Sequence, residues 1–242
     1  MALKGEGSAP IFCAMYRVED LFDLRQTEHA LLFEDCEYAW DALKKIKSYL
    51  SVTLRPGLHH RAEGESYIGP NVYIGEGTVV EHGAMLKGPA VIGRNCQIRH
   101  NAYIREDVII GDDCVIGNAC EFKNALLFNK AQVPHFSYVG DSILGYKAHL
   151  GAGVKISNVK LVAGNVTVEK DGISFDTGLR KFGVLLGDNT DVGCNSVINP
   201  GSIIGRGSVL YPNVSWRGIL PANMIVKNRA KQDVVVRRPR ET

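Results

Sequence analysis

The sequence predicts an all-β chain wound as a left-handed parallel β-helix of hexapeptide repeats, and two periodic rows of residues predict it. Bulky apolar residues recur every six positions at Ile68, Ile74, Val80, Leu86, Ile92, Ile98, Ile104, Ile110, Ile116, Phe122 and Phe128. Four residues after each large one stands a small or slim one: Val72, Thr78, Ala84, Ala90, Cys96, Ala102, Val108, Cys114 and Cys120, with Leu126 the first exception. A period of six matches neither an amphipathic helix nor the alternation of one strand, so it marks a structural repeat. A three-sided prism satisfies it: each hexad supplies one short strand and one corner, and eighteen residues close a coil. The large residue fills the interior and the small one fits the corner. Glycine follows the large residue at Gly69, Gly75, Gly93, Gly111 and Gly117, where a corner is expected to need permissive backbone angles. Left-handed winding is an exception to the usual right-handed crossover rule.

The elements follow in order. Residues 1–57 lack the hexad and form an N-terminal extension. Within it Trp40, Leu43, Ile46 and Leu50 recur at helical spacing and predict one amphipathic helix over 36–50, capped by Asp35. An open coil end exposes strand edges and core, so the helix is expected to lie on the first coil as a lid. The β-helix is expected over 58–215. Its register slips after Phe128, since Leu144, Leu150 and Ile156 resume sixteen residues later. The slip carries Pro134-His135-Phe136-Ser137-Tyr138, and a break in a uniform repeat is where function is expected to be grafted. A second interruption follows Asn158. There Asn165–Glu169 and Ile173–Phe175 flank Asp171-Gly172 and predict a β-hairpin in an insertion over about 159–181. The period returns at Leu186, Val192, Ile198, Ile204 and Leu210, with slim partners Thr190, Ser196, Ser202, Ser208 and Val214. The hexads sum to about six coils. Flat-sided prisms associate side by side, and a homotrimer is expected.

Composition bounds the class. The 242 residues are 45% hydrophobic and 22% charged, as in a soluble globular protein. The early apolar run Ile11–Tyr16 is too short for a signal core or a membrane span, so no membrane association is expected and the default compartment is the cytoplasm. Of the six cysteines, Cys96, Cys114 and Cys120 fall on the small-residue row, which favours reduced core packing over disulfides. The net charge of +2 is uneven. The 216–242 tail is basic: over Ala222–Thr242, Lys227, Arg229, Lys231, Arg237, Arg238 and Arg240 face only Asp233 and Glu241. Such a tail is either simply solvated or drawn to the phosphates of a cofactor. Nucleic acid is not an expected partner, because no larger basic surface or set of stacking aromatics accompanies it.

Chemistry-bearing residues gather near the slip. Arg105 precedes Lys123 by eighteen residues, so two cations should stack one coil apart, a spacing that suits a phosphate. His135 lies three residues before Tyr138, in the same neighbourhood as Glu121. That sets an imidazole beside a carboxylate able to orient it. His82 and His100 also stand eighteen apart, but two ligands do not make a catalytic zinc site, so a surface ladder is favoured and no metal is expected.

At these residues the sequence resembles a known family. Gly117-Asn118-Ala119-Cys120-Glu121-Phe122-Lys123, then His135-Phe136-Ser137-Tyr138-Val139-Gly140-Asp141, then Gly151-Ala152-Gly153 and Asn158 carry the resemblance. It is to the acetyltransferase domain of the bifunctional glucosamine-1-phosphate acetyltransferase/N-acetylglucosamine-1-phosphate uridyltransferases. The hairpin followed by Gly178-Leu179-Arg180-Lys181-Phe182-Gly183 looks like the archaeal-type branch, the sugar-1-phosphate nucleotidylyltransferase/acetyltransferases. The resemblance covers roughly residues 60–230.

The resemblance implies an acetyl-CoA-dependent N-acetyltransferase acting on a hexosamine 1-phosphate, most simply glucosamine 1-phosphate, with sites between the protomers of a trimer. His135 would be the general base, with Glu121 and Asn158 helping to orient it. Arg105, Lys123, Tyr138 and Lys181 would hold the sugar 1-phosphate, and His149 stands where the family commonly has an asparagine touching it. The backbone N–H of Ala152 would face the thioester, and Cys194 stands where the bacterial enzymes place a serine near the cofactor. Uridyl transfer is not expected, because the residues before the prism are too few for that domain; a separate nucleotidyltransferase is then a further candidate partner. Two alternatives stay open: an acyltransferase on another amino sugar or nucleotide-sugar, and a non-enzymatic sugar-phosphate-binding remnant.

Overall fold

The computed structural model describes residues 17–229 and 232–237. The run Ile11–Tyr16, Cys13 and the tail residues Lys231, Arg238, Arg240 and Glu241 lie outside the described residues. Short parallel strands wind into a left-handed β-helix with three faces. One face carries nine strands, from Arg61–Glu63 to Ile225–Val226, so there are nine coils rather than six. Counting hexads missed the irregular coils. The last rungs, Ile219–Leu220 and Ile225–Val226, pair sixteen residues after their partners, and this shortened coil hid strands beyond residue 215.

The interior row is the one the period predicts, down to Phe122. The next inward residue is Leu127, and the row continues through Val133, Val139, Leu144, Leu150 and Ile156. Phe128 instead faces outward, against Phe22 and Phe33 at ring-centroid distances of 5.1 and 5.9 Å. The slip therefore does not lie at His135–Tyr138. Two coils are each one residue short, as the pairs Leu126↔Ile143 and Val108↔Ala125 show. The contraction falls at the corners of Asn124 and Asp141, where the strands Glu121–Leu127 and Tyr138–Leu144 run straight through.

The corners follow a different rule from the one expected. The left-handed backbone falls on Gly77, Gly83, Asn95, Asn101, Asp107 and Asp113, where glycine, asparagine and aspartate bear it best. Glycine directly after the large residue answers another need, close stacking of coils: a Cβ on Gly117 would lie 1.8 Å from Pro134 carbonyl atoms. The small row has a second task as well. Thr78 Oγ1, Cys96 Sγ, Cys120 Sγ and Ser208 Oγ donate to Gly93, Gly111, Val133 and Pro221 carbonyls of the following coil, at 2.8, 3.1, 3.3 and 2.8 Å. A buried carbonyl at a tight corner would otherwise go unmet. The described cysteines are all free thiols.

The helix Asp41–Thr53 starts later than expected, without a cap from Asp35; instead Asp41 Oδ2 accepts from Tyr38 N at 3.0 Å. Its stripe of Trp40, Leu43, Ile46 and Leu50 is buried as predicted, and Ala42 joins it. It does not lid the coil end. A column of outward apolar residues, Ile109, Leu126, Ile143, Leu185 and Ile203, runs up one face of the prism, one per coil. The helix and its preceding turns cover that column, together with Val166 and Val168 of the insertion. Each such side chain removed from water contributes about 1.5–3 kcal/mol, which is why the extension lies along a flank rather than across the end. The predicted hairpin forms, Thr167–Lys170 against Ile173–Asp176, turning at Asp171 and Gly172 with φ of 50° and 80°.

Candidate active site

The face next to the capped one presents most of the predicted residues, divided between its two corners. At the corner toward the capped face lie Arg105, Lys123, Asn124, Asp141 and Asn158. Arg105 Nη1 donates to Glu121 Oε1 at 2.9 Å and Nη2 to Glu106 Oε1 at 3.2 Å. Lys123 Nζ donates to Asp141 Oδ1 at 3.4 Å. The two cations do stack one coil apart, but three carboxylates already answer them. The expected stacking is present, and the carboxylates beside it neutralise part of its charge. Of its other N–H groups, Arg105 Nε is buried with no hydrogen-bond partner among the described residues.

Asp141 is the centre of this corner, and sequence reasoning gave it no role. It is 3% exposed, and its carboxylate also accepts from Asn124 Nδ2 at 2.9 Å and Asn158 Nδ2 at 2.5 Å. Asn158 Nδ2 further donates to Tyr138 Oη at 3.2 Å. Burial raises the Tyr138 phenol above its ordinary value, against the opposing hydrogen bond from Asn158, so it stays an O–H group at neutral pH. The insertion is rooted here too. The Phe182 N–H donates to the Asn158 carbonyl at 2.9 Å and the Gly183 N–H to the Asp141 carbonyl at 2.8 Å. Lys181, exposed, precedes that closure by one residue.

At the opposite corner of the same face, His135, Ala152 and Cys194 follow one another coil by coil. The Gly153 N–H donates to the His135 carbonyl at 3.0 Å and the Asn195 N–H to the Ala152 carbonyl at 2.9 Å. His135 is exposed, its ring beside Phe136 with centroids 6.2 Å apart. Glu121 and Asn158 do not touch it: both are engaged at the other corner, roughly 10 Å away for a strand of about three residues. Their expected part in orienting the imidazole is thus not met within one chain. His149 faces out from the third side, with Nδ1 3.4 Å from Asp191 Oδ1.

Among the described residues no cluster of His, Cys, Asp and Glu suits a metal ion. His82 and His100 stack at 5.9 Å, and both ring nitrogens of His100 already meet His82 O and Asn101 Nδ2, as a surface ladder should. No described helix is long and apolar enough to cross a membrane.

Residues 86–175, which hold most of both corners, match the model of the GMPPB C-terminal domain. The likeness to the sugar-nucleotidyltransferase families is therefore real, and it is partial. A bifunctional sugar-1-phosphate nucleotidylyltransferase/acetyltransferase of Sulfurisphaera tokodaii is 37% identical over 34% of this chain and 20% of its own length. The bifunctional protein GlmU of Methanococcus vannielii is 34% identical over the same shares. The matched stretch spans about a fifth of these relatives. Among solved structures, an Arabidopsis UDP-N-acetylglucosamine acyltransferase is similar at 16% identity and a TM-score of 0.41, over 72% of this chain and 69% of that one. At that distance the likeness carries no functional weight.

Proposed function

We propose that this chain is an acetyl-CoA-dependent N-acetyltransferase of a hexosamine 1-phosphate, most simply glucosamine 1-phosphate, assembled as a trimer. The observation that carries the reading is the pairing of two corners on one face. One presents an exposed imidazole; the other is a charged cradle of cations and carboxylates. Its cations suit the phosphate of an amino-sugar phosphate, whose amine then extends along the face toward His135. The likeness to bifunctional nucleotidylyltransferase/acetyltransferases supports the same chemistry.

In this reading His135 takes a proton from the substrate amine as its nitrogen attacks the thioester carbonyl, because an ammonium cannot attack. The Ala152 N–H donates to the oxyanion of the tetrahedral intermediate. The C–S bond then breaks, the coenzyme A thiolate recovers the proton, and no acyl-enzyme forms. Arg105, Lys123, Tyr138 and Lys181 fix the phosphate, so that the amine is delivered to one place. Glu121 and Asn158 serve the cradle of their own chain, and His149 and Cys194 reach substrate and cofactor across the trimer's clefts. The test is thiol release from acetyl-CoA with a panel of amino sugars, their 1-phosphates and their nucleotide-linked forms. The reading expects the 1-phosphate to be preferred. The paired His149 favours a second reading, a different or nucleotide-linked amino sugar, and preference for that form would establish it. Acetyl-CoA binding without transfer would instead mark a sugar-phosphate-binding protein.

A further inference from the structure

Asp141 is almost wholly enclosed and touches three side chains of the cradle, and its chemistry fixes which way each one points. An ionised carboxylate only accepts hydrogen bonds. The Asn158 atom 2.5 Å from Asp141 Oδ2 must therefore be the amide nitrogen, and the amide cannot be turned over. Both protons of that nitrogen are then committed, one to Asp141 and one to Tyr138 Oη at 3.2 Å. Two consequences follow. Among the described residues Asn158 Oδ1 makes no hydrogen bond, and it is left as a pure acceptor. Tyr138 Oη, already accepting, has its own proton to give away.

We infer that Asp141 is a positioning residue that sets the polarity of the cradle, making Asn158 an acceptor and Tyr138 a donor toward the ligand. A ligand read by this pair must offer a donor, such as a sugar hydroxyl, to Asn158 Oδ1 and an acceptor, such as a phosphate oxygen, to Tyr138 Oη. The same carboxylate steadies Lys123, and its main-chain carbonyl pins the returning insertion through Gly183. Gly140, the residue before it, has no side chain to interrupt the relay: a Cβ there would lie 2.5 Å from Tyr138 Oη and 2.6 Å from Asn158 Nδ2. The inference deepens the proposed acetyl transfer and rests on it for its kinetic reading, but the polarity itself does not.

The experiment therefore has two arms on the full chain. In the first, the Asn158 side-chain amide is followed by 15N–1H NMR, which needs no activity. A short bond to a carboxylate shifts one of its protons downfield, and Asp141→Asn removes the shift; an ordinary position in the wild type overturns the relay. In the second, sugar-phosphate KM is measured for Asp141→Asn, Asn158→Ala and the double variant. The single Asp141→Asn change is expected to raise KM about tenfold, in line with loss of a charge-assisted hydrogen bond, and to leave KM for acetyl-CoA unchanged. Once Asn158 is alanine its effect should shrink to the smaller part carried through Lys123 and Asn124. Additive losses overturn the relay. A wild type without turnover sinks the acetyltransferase reading alone, because the NMR arm still stands. Should Asp141→Asn fail to fold, the wild-type amide shift decides.

Discussion

Tyr138 lies across the bare backbone of Gly140, so close that a methyl group at Gly140 would sit 2.5 Å from the phenolic oxygen. Gly140 is buried and its φ is not in the left-handed region, so the glycine is there for proximity rather than for backbone freedom. Gly140→Ala is expected to fold, at a cost of about 1–3 kcal/mol from overpacking. It should displace Tyr138 and Asn158 together. A crystal structure or the Asn158 amide resonance would reveal the displacement; an alanine accommodated with both partners in place would refute it.

Phe128 ties the N-terminal extension to the prism through Phe22 and Phe33. Phe128→Ala removes a fully buried ring and should destabilise by about 3–5 kcal/mol. The loss is local to the flank, because the interior row runs through Leu127. Hydrogen exchange should therefore accelerate across residues 18–33 while the coils near Ile104 keep their protection. Uniform acceleration would mean that Phe128 belongs to the interior after all.

His29 lies within the extension with Nδ1 3.0 Å from Tyr49 Oη, and burial lowers it below its ordinary value of 6.5, against the pull of Glu28 and Asp112. The unfolded chain thus binds more protons as the pH drops through about 6.5, and the native state loses stability. The contribution is whole above that value and is lost as the pH falls through the folded value. His60, also lowered by burial, acts in the same direction. Asp188 and Asp20, raised by burial, act in the opposite sense at lower pH. The informative quantity is the difference in melting temperature between wild type and His29→Asn across about pH 8 to about pH 5. It should change sharply below about 6.5, and a constant difference would contradict the assignment.

Much of this was legible in the sequence, because a six-residue period has few physical solutions. The interior row from Ile74 to Phe122, the buried stripe of the helix and the Asp171-Gly172 hairpin all follow from local pattern. Three features were not legible. Phe128 keeps the six-residue spacing yet faces outward, since a one-residue contraction at Asn124 is silent in a row of large apolar residues. The helix position could not be read, because its partner is an outward column spread over five coils, from Ile109 to Ile203. Asp141 was visible within a motif but had no role until its contacts with Lys123, Asn124 and Asn158 were known. The signal that could have found it is a left-handed aspartate at a shortened corner, between two residues already suspected.

The central claim is that His135, exposed at one corner, is the base for a substrate held at the other. The most direct measurement is acetyl transfer to glucosamine 1-phosphate by wild type and His135→Ala, with coenzyme A binding measured in parallel. The account predicts a fall in kcat of about a hundredfold to ten-thousandfold with cofactor affinity unchanged. Equal turnover by the two proteins would contradict it.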